Sequence, residues 1–293
     1  MGIKGEIYNS FKEGTTLTKL IYINLGVFLV VGLTAGILTL FKVDLSWTNF
    51  LKLPADVDTL LHTPWTLVSY MFYHDVSGPY FGFIHLLVNI LMLYWFGKFF
   101  LELFSQKDLV GLYLLGGITG GIFYILAYQI PFLAERIAGN LSGASASVFA
   151  IIVAVAATAP NYPVRLTLMG EIRLKWIAIA CVIISLLTMG YNVGGGAAHL
   201  GGIFAGYVFA VMYKNGSNIT TWVSLLLDVL VDLFRKKPEL KITHRRPMTD
   251  QEYNLKKKQE NDNIDRILEK IKKGGYESLS KEEKQELFRV SQK

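Results

Sequence analysis

Apolar residues dominate six stretches of the chain, at 20–41, 83–104, 109–130, 145–159, 176–189 and 196–213, and polar residues collect between and beyond them. A helix needs about 20 mostly apolar residues to cross a bilayer, so the pattern predicts six spanning helices. The fourth and fifth stretches are short for unassisted spans. Short spans are tolerated where one end opens into a protein-lined, water-accessible cavity. After the sixth, Ser224, Asp228 and Asp232 form one polar stripe on an otherwise apolar 221–235, which predicts an amphipathic helix lying in the membrane interface. A basic, polar linker follows. Ile264, Ile267, Leu268 and Ile271 then recur at helical spacing and stop at Gly274-Gly275. A last helix is expected after Ser280, whose hydroxyl can cap it while Glu283 reaches back. The expected divisions are an N-terminal segment 1–19, a six-span body 20–213, an interfacial helix with linker 214–262, and a small helical hairpin 263–293.

Composition agrees with a membrane protein. The chain is 52% hydrophobic and 18% charged, against about 25% charged in a typical soluble domain. From Lys214 onward there are 18 Lys or Arg against 13 Asp or Glu, an excess of five within a net charge of +6. The basic balance therefore belongs to the tail and points to a membrane surface, not to nucleic acid. With the N-terminus inside, the inner segments carry Lys4, Lys12, Lys19, Lys98, Lys107, Arg165, Arg173 and Lys175. The outer loops carry Lys42, Lys52 and Arg136. Both termini are thus expected on the cytoplasmic side. The first apolar stretch is too long for a signal-peptide core and is expected to be a retained span. The loop after it is rich in aromatics, including Trp47, Phe50, Trp65, Tyr70, Phe72, Tyr73, Tyr80 and Phe81, and is expected to lie partly in the outer leaflet. Cys181 is the one cysteine; it can build neither a disulfide nor a Cys-based metal site.

Polar side chains at membrane depth are costly and mark function. Ser145 opens the fourth stretch, flanked by Gly143, Ala144 and Ala146, and His199 lies in the last. A hydroxyl nucleophile and an imidazole base are the minimum for nucleophilic hydrolysis. A Gly/Ala/Ser cluster also serves plain helix packing, and Ser142 and Ser147 are rival hydroxyls. Ser147, two residues on, should face away from whatever Ser145 faces. Gly202 and Gly206 make a small-xxx-small contact face beside His199. His85 and Asn89, four residues apart, project from one helical face and suit an oxyanion hole or, equally, a polar helix contact. With no carboxylate on that face, a metal site is not expected. The last three stretches hold no acidic residue, so Ser145 and His199 would work as a dyad, with packing holding the imidazole. Phe149, one turn below Ser145, is a ring for His199 to stack on. Two non-proteolytic readings stand beside this one: a protein that only binds spanning helices, and a small transporter, for which no internal repeat is visible.

The runs Gly143-Ala144-Ser145 with Val148-Phe149, Ala198-His199-Leu200-Gly201-Gly202, and His85-Leu86-Leu87-Val88-Asn89 resemble the motifs of the rhomboid family of intramembrane serine proteases. They stand on the fourth, sixth and second stretches, in that family's order. The resemblance implies an all-α, six-span bundle with a short helical tail. It implies Ser145 as nucleophile, His199 as general base, and His85, Asn89 and the Ser145 backbone N–H as oxyanion donors. Gly143, Phe149 and Gly202 would support them. It further implies single-span membrane proteins as substrates, the bilayer as partner, no cofactor, no metal, and the inner membrane of a bacterium; it leaves oligomeric state open. Gly275-Tyr276-Glu277-Ser278-Leu279 resembles a module that follows some bacterial rhomboid domains. The family usually has Gly after the nucleophile and often Arg after the loop tryptophan; here they are Ala146 and Thr66.

Overall fold

The computed structural model describes residues 3–76, 79–137, 139–166, 170–223, 225–226, 229 and 248–291. They fall into two units, Met1–Arg235 and Lys236–Lys293. The polar stripe of Ser224, Asp228 and Asp232 lies outside the described residues, as does most of the linker.

In the first unit, α1 (Ile3–Glu13) and α2 (Thr16–Leu40) lead into a first loop holding a 3-10 turn (Leu45–Phe50), α3 (Val57–His62) and α4 (Thr66–Ser69). Then come α5 (Pro79–Leu103), α6 (Gln106–Tyr128), α7 (Pro131–Ala134), α8 (Ser145–Thr158), an antiparallel hairpin of β1 (Pro163–Leu166) and β2 (Gly170–Arg173), α9 (Leu174–Thr188) and α10 (Val193–Lys214). Helices α2, α5, α6 and α10 are long and apolar enough to cross a membrane, and α8 and α9 are shorter apolar helices. The fold is an all-α polytopic membrane bundle with a helical tail. The four-residue strands were too short to register as an alternating pattern.

Helix α10 starts earlier than expected. Gly194 and Gly195 lie before the expected stretch, yet both are helical with Gly196. The Asn192 side chain caps the helix by accepting from Gly195 N–H at 2.9 Å. Packing then favours glycine: a Cβ on Gly196 would lie 2.4 Å from Met189 Cγ.

The centre of the bundle is α6, α8 and α10. A Cβ on Gly202 would stand 2.1 Å from Ala146 O, and one on Gly206 2.2 Å from Ala150 O. From α6, a Cβ on Gly116 would meet Ala150 Cβ at 2.4 Å, and one on Gly120 would meet Ala146 Cβ at 2.5 Å. Backbones this close gain dispersion contacts, which drive helix association in lipid where the hydrophobic effect does not. Twelve residues of α10 and nine of α8 are buried, against three of α9: Leu174, Ala178 and Ser185. Helices α2, α5 and α9 expose residues such as Leu33, Val88 and Ile184, an outer surface suited to acyl chains.

The second unit is a helical hairpin. Its first arm, α11 (Asp250–Gly274), begins thirteen residues before the expected position 263, so 250–262 is helix and not linker. Thr249 and Glu252 form a capping box there, a signal hidden by the absence of apolar periodicity in this polar arm. The arm ends at Gly275, whose φ of +75° suits glycine. A 3-10 turn (Tyr276–Ser278) leads to α12 (Lys281–Ser291). As expected, Ser280 caps α12 and Glu283 reaches back to the Ser280 N–H at 2.8 Å. Ile267 and Leu279 are buried within the hairpin, and Lys270 pairs with Glu283 at 2.9 Å.

Candidate active site

Ser145 is the first residue of α8. The strand of chain before it is tied to the first loop: Leu53 and Leu141 exchange both backbone hydrogen bonds at 2.9 Å, and Gly143 N–H donates to Tyr70 O at 2.9 Å. Tyr70 is itself held by its hydroxyl donating to Gly117 O on α6 at 2.6 Å. Gly143 has φ +113°, and a Cβ there would lie 2.5 Å from His85 Cε1. Only glycine fits both the backbone and the imidazole beside it.

Ser145 Oγ lies 2.7 Å from His199 Nε2. The contact spans the α8–α10 pairing that Gly202 and Gly206 permit. Phe149 stacks on the imidazole with ring centroids 4.7 Å apart and planes tilted 38°. Ser147 points elsewhere: it is fully buried, with its hydroxyl toward Met71 Sδ at 3.9 Å. Ser142 lines the cavity beside Ser145.

Sequence reasoning missed one group at this centre. Ser185, on α9, places its Oγ 2.7 Å from His199 Nδ1. An isolated serine in an apolar run carries no distinguishing signal, because hydroxyls in such runs commonly bond back to their own helix.

His85 and Asn89 share a face of α5, as their spacing predicts. Asn89 is 5% exposed. Its Nδ2 donates to His85 O at 2.9 Å and to His74 Nε2 at 3.3 Å, so both amide hydrogens are engaged. His74 belongs to the first loop and meets His85 edge-on at 5.2 Å. Among the described residues, no hydrogen bond holds the His85 ring, which lines both cavities at the site.

Two cavities meet at this cluster, and His85, Ser145 and His199 line both. One, of about 220 Å³, is bordered by polar groups including Asn140, Ser142 and Asn192. The other, of about 280 Å³, is walled by apolar residues of α5, α8 and α9, among them Val88, Met92, Phe149, Ile152 and Ile184. A hydroxyl and an imidazole at such a junction can meet water from one side and an apolar chain from the other.

Neither departure from the family pattern disturbs the geometry. Ala146 is helical and nearly fully buried, with its methyl where Gly120 leaves room. Thr66 is buried, donating its hydroxyl to Thr63 O at 2.6 Å. The loop tryptophan, Trp65, is anchored by donating Nε1–H to Phe50 O at 2.9 Å.

Residues 61–216, just over half of the chain, match the Rhomboid domain. The chain belongs to the rhomboid family. Residues 248–293, which hold the helical hairpin, match a family of unknown function, DUF6576. This rhomboid is also similar to the mitochondrial presenilin-associated rhomboid-like protein A of Danio rerio, at 28% identity over 150 residues. That alignment covers 50% of this chain and 37% of the relative, so the shared part is a little over a third of the relative's length.

Proposed function

We propose that this rhomboid is an intramembrane serine endopeptidase that cleaves single-span membrane proteins within or near the spanning segment. The observation that carries the reading is the 2.7 Å approach of Ser145 Oγ to His199 Nε2, set between a polar and an apolar cavity. With His199 carrying its proton on Nδ1, the lone pair of Nε2 accepts the Ser145 proton as Oγ attacks the scissile carbonyl. The tetrahedral oxyanion meets the Ser145 N–H, a first-turn amide that a helix leaves without an intrahelical acceptor, and the His85 ring. Asn89 joins by exchanging its longer bond, to His74, for the oxyanion. His199 then protonates the leaving amine, and water from the polar cavity hydrolyses the acyl-enzyme. The apolar cavity between α5 and α9 receives the substrate helix. The chemistry asks for no cofactor. The distribution of Lys and Arg supports cytoplasmic termini, and the motif resemblance supports a bacterial inner membrane.

The test is cleavage of a model single-span substrate by the purified protein in lipid, beside Ser145→Ala. Cleavage by the parent and none by the variant is expected. Equal cleavage by both would overturn the nucleophile. Absence of cleavage by folded parent across several substrates, with no labelling by a fluorophosphonate, would replace the protease with a helix-binding protein.

A further inference from the structure

Several hydroxyls on the spanning helices bond back to their own backbone. Thr34, Thr39, Thr119 and Thr188 each donate to the carbonyl four residues back on their own helix, at 2.8–2.9 Å. Ser185 has the same option and does not use it. Its Oγ reaches from α9 to His199 Nδ1 at 2.7 Å. It is 6% exposed, one of the three buried residues of α9 and the only polar one among them. A buried hydroxyl turned from its own backbone towards one nitrogen of an imidazole, whose other nitrogen meets Ser145, is a specific arrangement.

We infer that Ser185 is a positioning residue for His199, completing a Ser145–His199–Ser185 relay in which the α9 hydroxyl holds the ring of the base and accepts its Nδ1–H in the reactive tautomer. The inference rests on the protease reading and deepens it. A hydroxyl oxygen can accept the Nδ1–H of neutral His199. That tautomer leaves Nε2 bare and able to accept from Ser145. The opposite tautomer would present Nε2–H to Ser145 and could take no proton from it. During attack the Ser145 proton moves to Nε2, and the imidazolium keeps Nδ1–H on Ser185 Oγ. No charge is placed on Ser185, unlike the carboxylate of a triad.

The test compares the full-length parent, Ser185→Ala and Ser185→Thr in lipid. Ala keeps the helix, being its best former, and removes only the hydroxyl. The expected result for Ser185→Ala is a fall in kcat of about tenfold, the scale of one net hydrogen bond. KM should stay unchanged, fluorophosphonate labelling should slow by the same factor, and Ser185→Thr should recover most of the loss. Nitrogen-15 spectra of His199 give a reading independent of turnover. The parent is expected to show Nδ1 protonated and Nε2 bare, and Ser185→Ala a mixture of the two neutral tautomers. Unchanged kcat and an unchanged tautomer in Ser185→Ala would overturn the relay while leaving the protease reading intact. A parent that neither cleaves nor labels would overturn the protease reading, and the tautomer comparison would still decide whether Ser185 sets the state of His199.

Discussion

The helices that carry Ser145 and His199 and the helices that flank them are built on opposite terms. Helices α8 and α10 meet through glycine, with Ala146 O and Ala150 O lying where a Cβ of Gly202 or Gly206 would have to be. Helices α5 and α9 expose large apolar residues and border a cavity of about 280 Å³. The reactive pair thus sits on the part of the bundle with no freedom to move. The polar side chains around it, His85 and Asn89 on α5 and Ser185 on α9, sit on the part that borders the cavity. In the proposed protease, nucleophile and base would have to hold a hydrogen-bond distance throughout turnover, whereas a substrate helix would have to be let in. A division between a fixed core and looser walls meets both requirements.

The comparison breaks most directly at Gly202. Gly202→Val forces a side chain into Ala146 O, and overpacking of this kind costs about 1–3 kcal/mol or more. The expected outcome is a markedly lower melting temperature in detergent together with loss of substrate cleavage, though no polar group has changed. Leu187→Ala, on the exposed face of α9, is the matched control and should move stability by no more than about 0.5 kcal/mol. Equal effects from the two substitutions would show that core and wall are not distinct.

A smaller effect is expected at Asn89. Its amide hydrogens are already engaged, and in the proposed mechanism it would be one donor among several. Asn89→Ala should lower kcat by about tenfold, at or below the usual cost of an oxyanion donor. Single-turnover acylation rates would check it, and a loss as deep as that of Ser145→Ala would make Asn89 part of the fixed machinery.

The smallest effect belongs to the tail, where no role in the chemistry is expected. Glu283 is held below its ordinary pKa by the Ser280 backbone N–H and then by Lys270. A depressed carboxylate stabilises the fold above its unfolded pKa, and that contribution is lost as pH falls through the folded value. The protection of amides in α11 and α12 against exchange, relative to their intrinsic rates at each pH, should accordingly fall as pH drops below the ordinary Glu pKa of about 4.3. In Glu283→Gln that dependence should flatten, while cleavage at neutral pH stays the same.

Much of this arrangement was legible in the chain because of where polarity is expensive. A serine and a histidine inside apolar runs, and a His/Asn pair at helical spacing, stand out at once. Ser145 at the head of α8 and the stacking of Phe149 on His199 follow from position and spacing alone. Ser185 was not legible, since nothing local separates a serine bonded to its own carbonyl from one that crosses to another helix. The engagement of Asn89 by His74 was hidden for a related reason, as it joins a loop to a helix through tertiary structure. One boundary was not legible: the apolar stretch begins at Gly196, whereas the Asn192 cap starts the helix at Val193. The capping box at Ser280 was legible because it is local. The polar arm from Asp250 was not, because a helix without an apolar stripe gives periodicity nothing to detect.

Cys181 takes on a practical meaning from its place in the fold. It is the chain's one cysteine, it is a free thiol, and it lines the apolar cavity one helical turn before Ser185. Spectroscopists therefore have a native attachment point for a spin label or fluorophore on the wall helix itself. No engineered cysteine and no removal of competing thiols would be needed to test whether α9 moves.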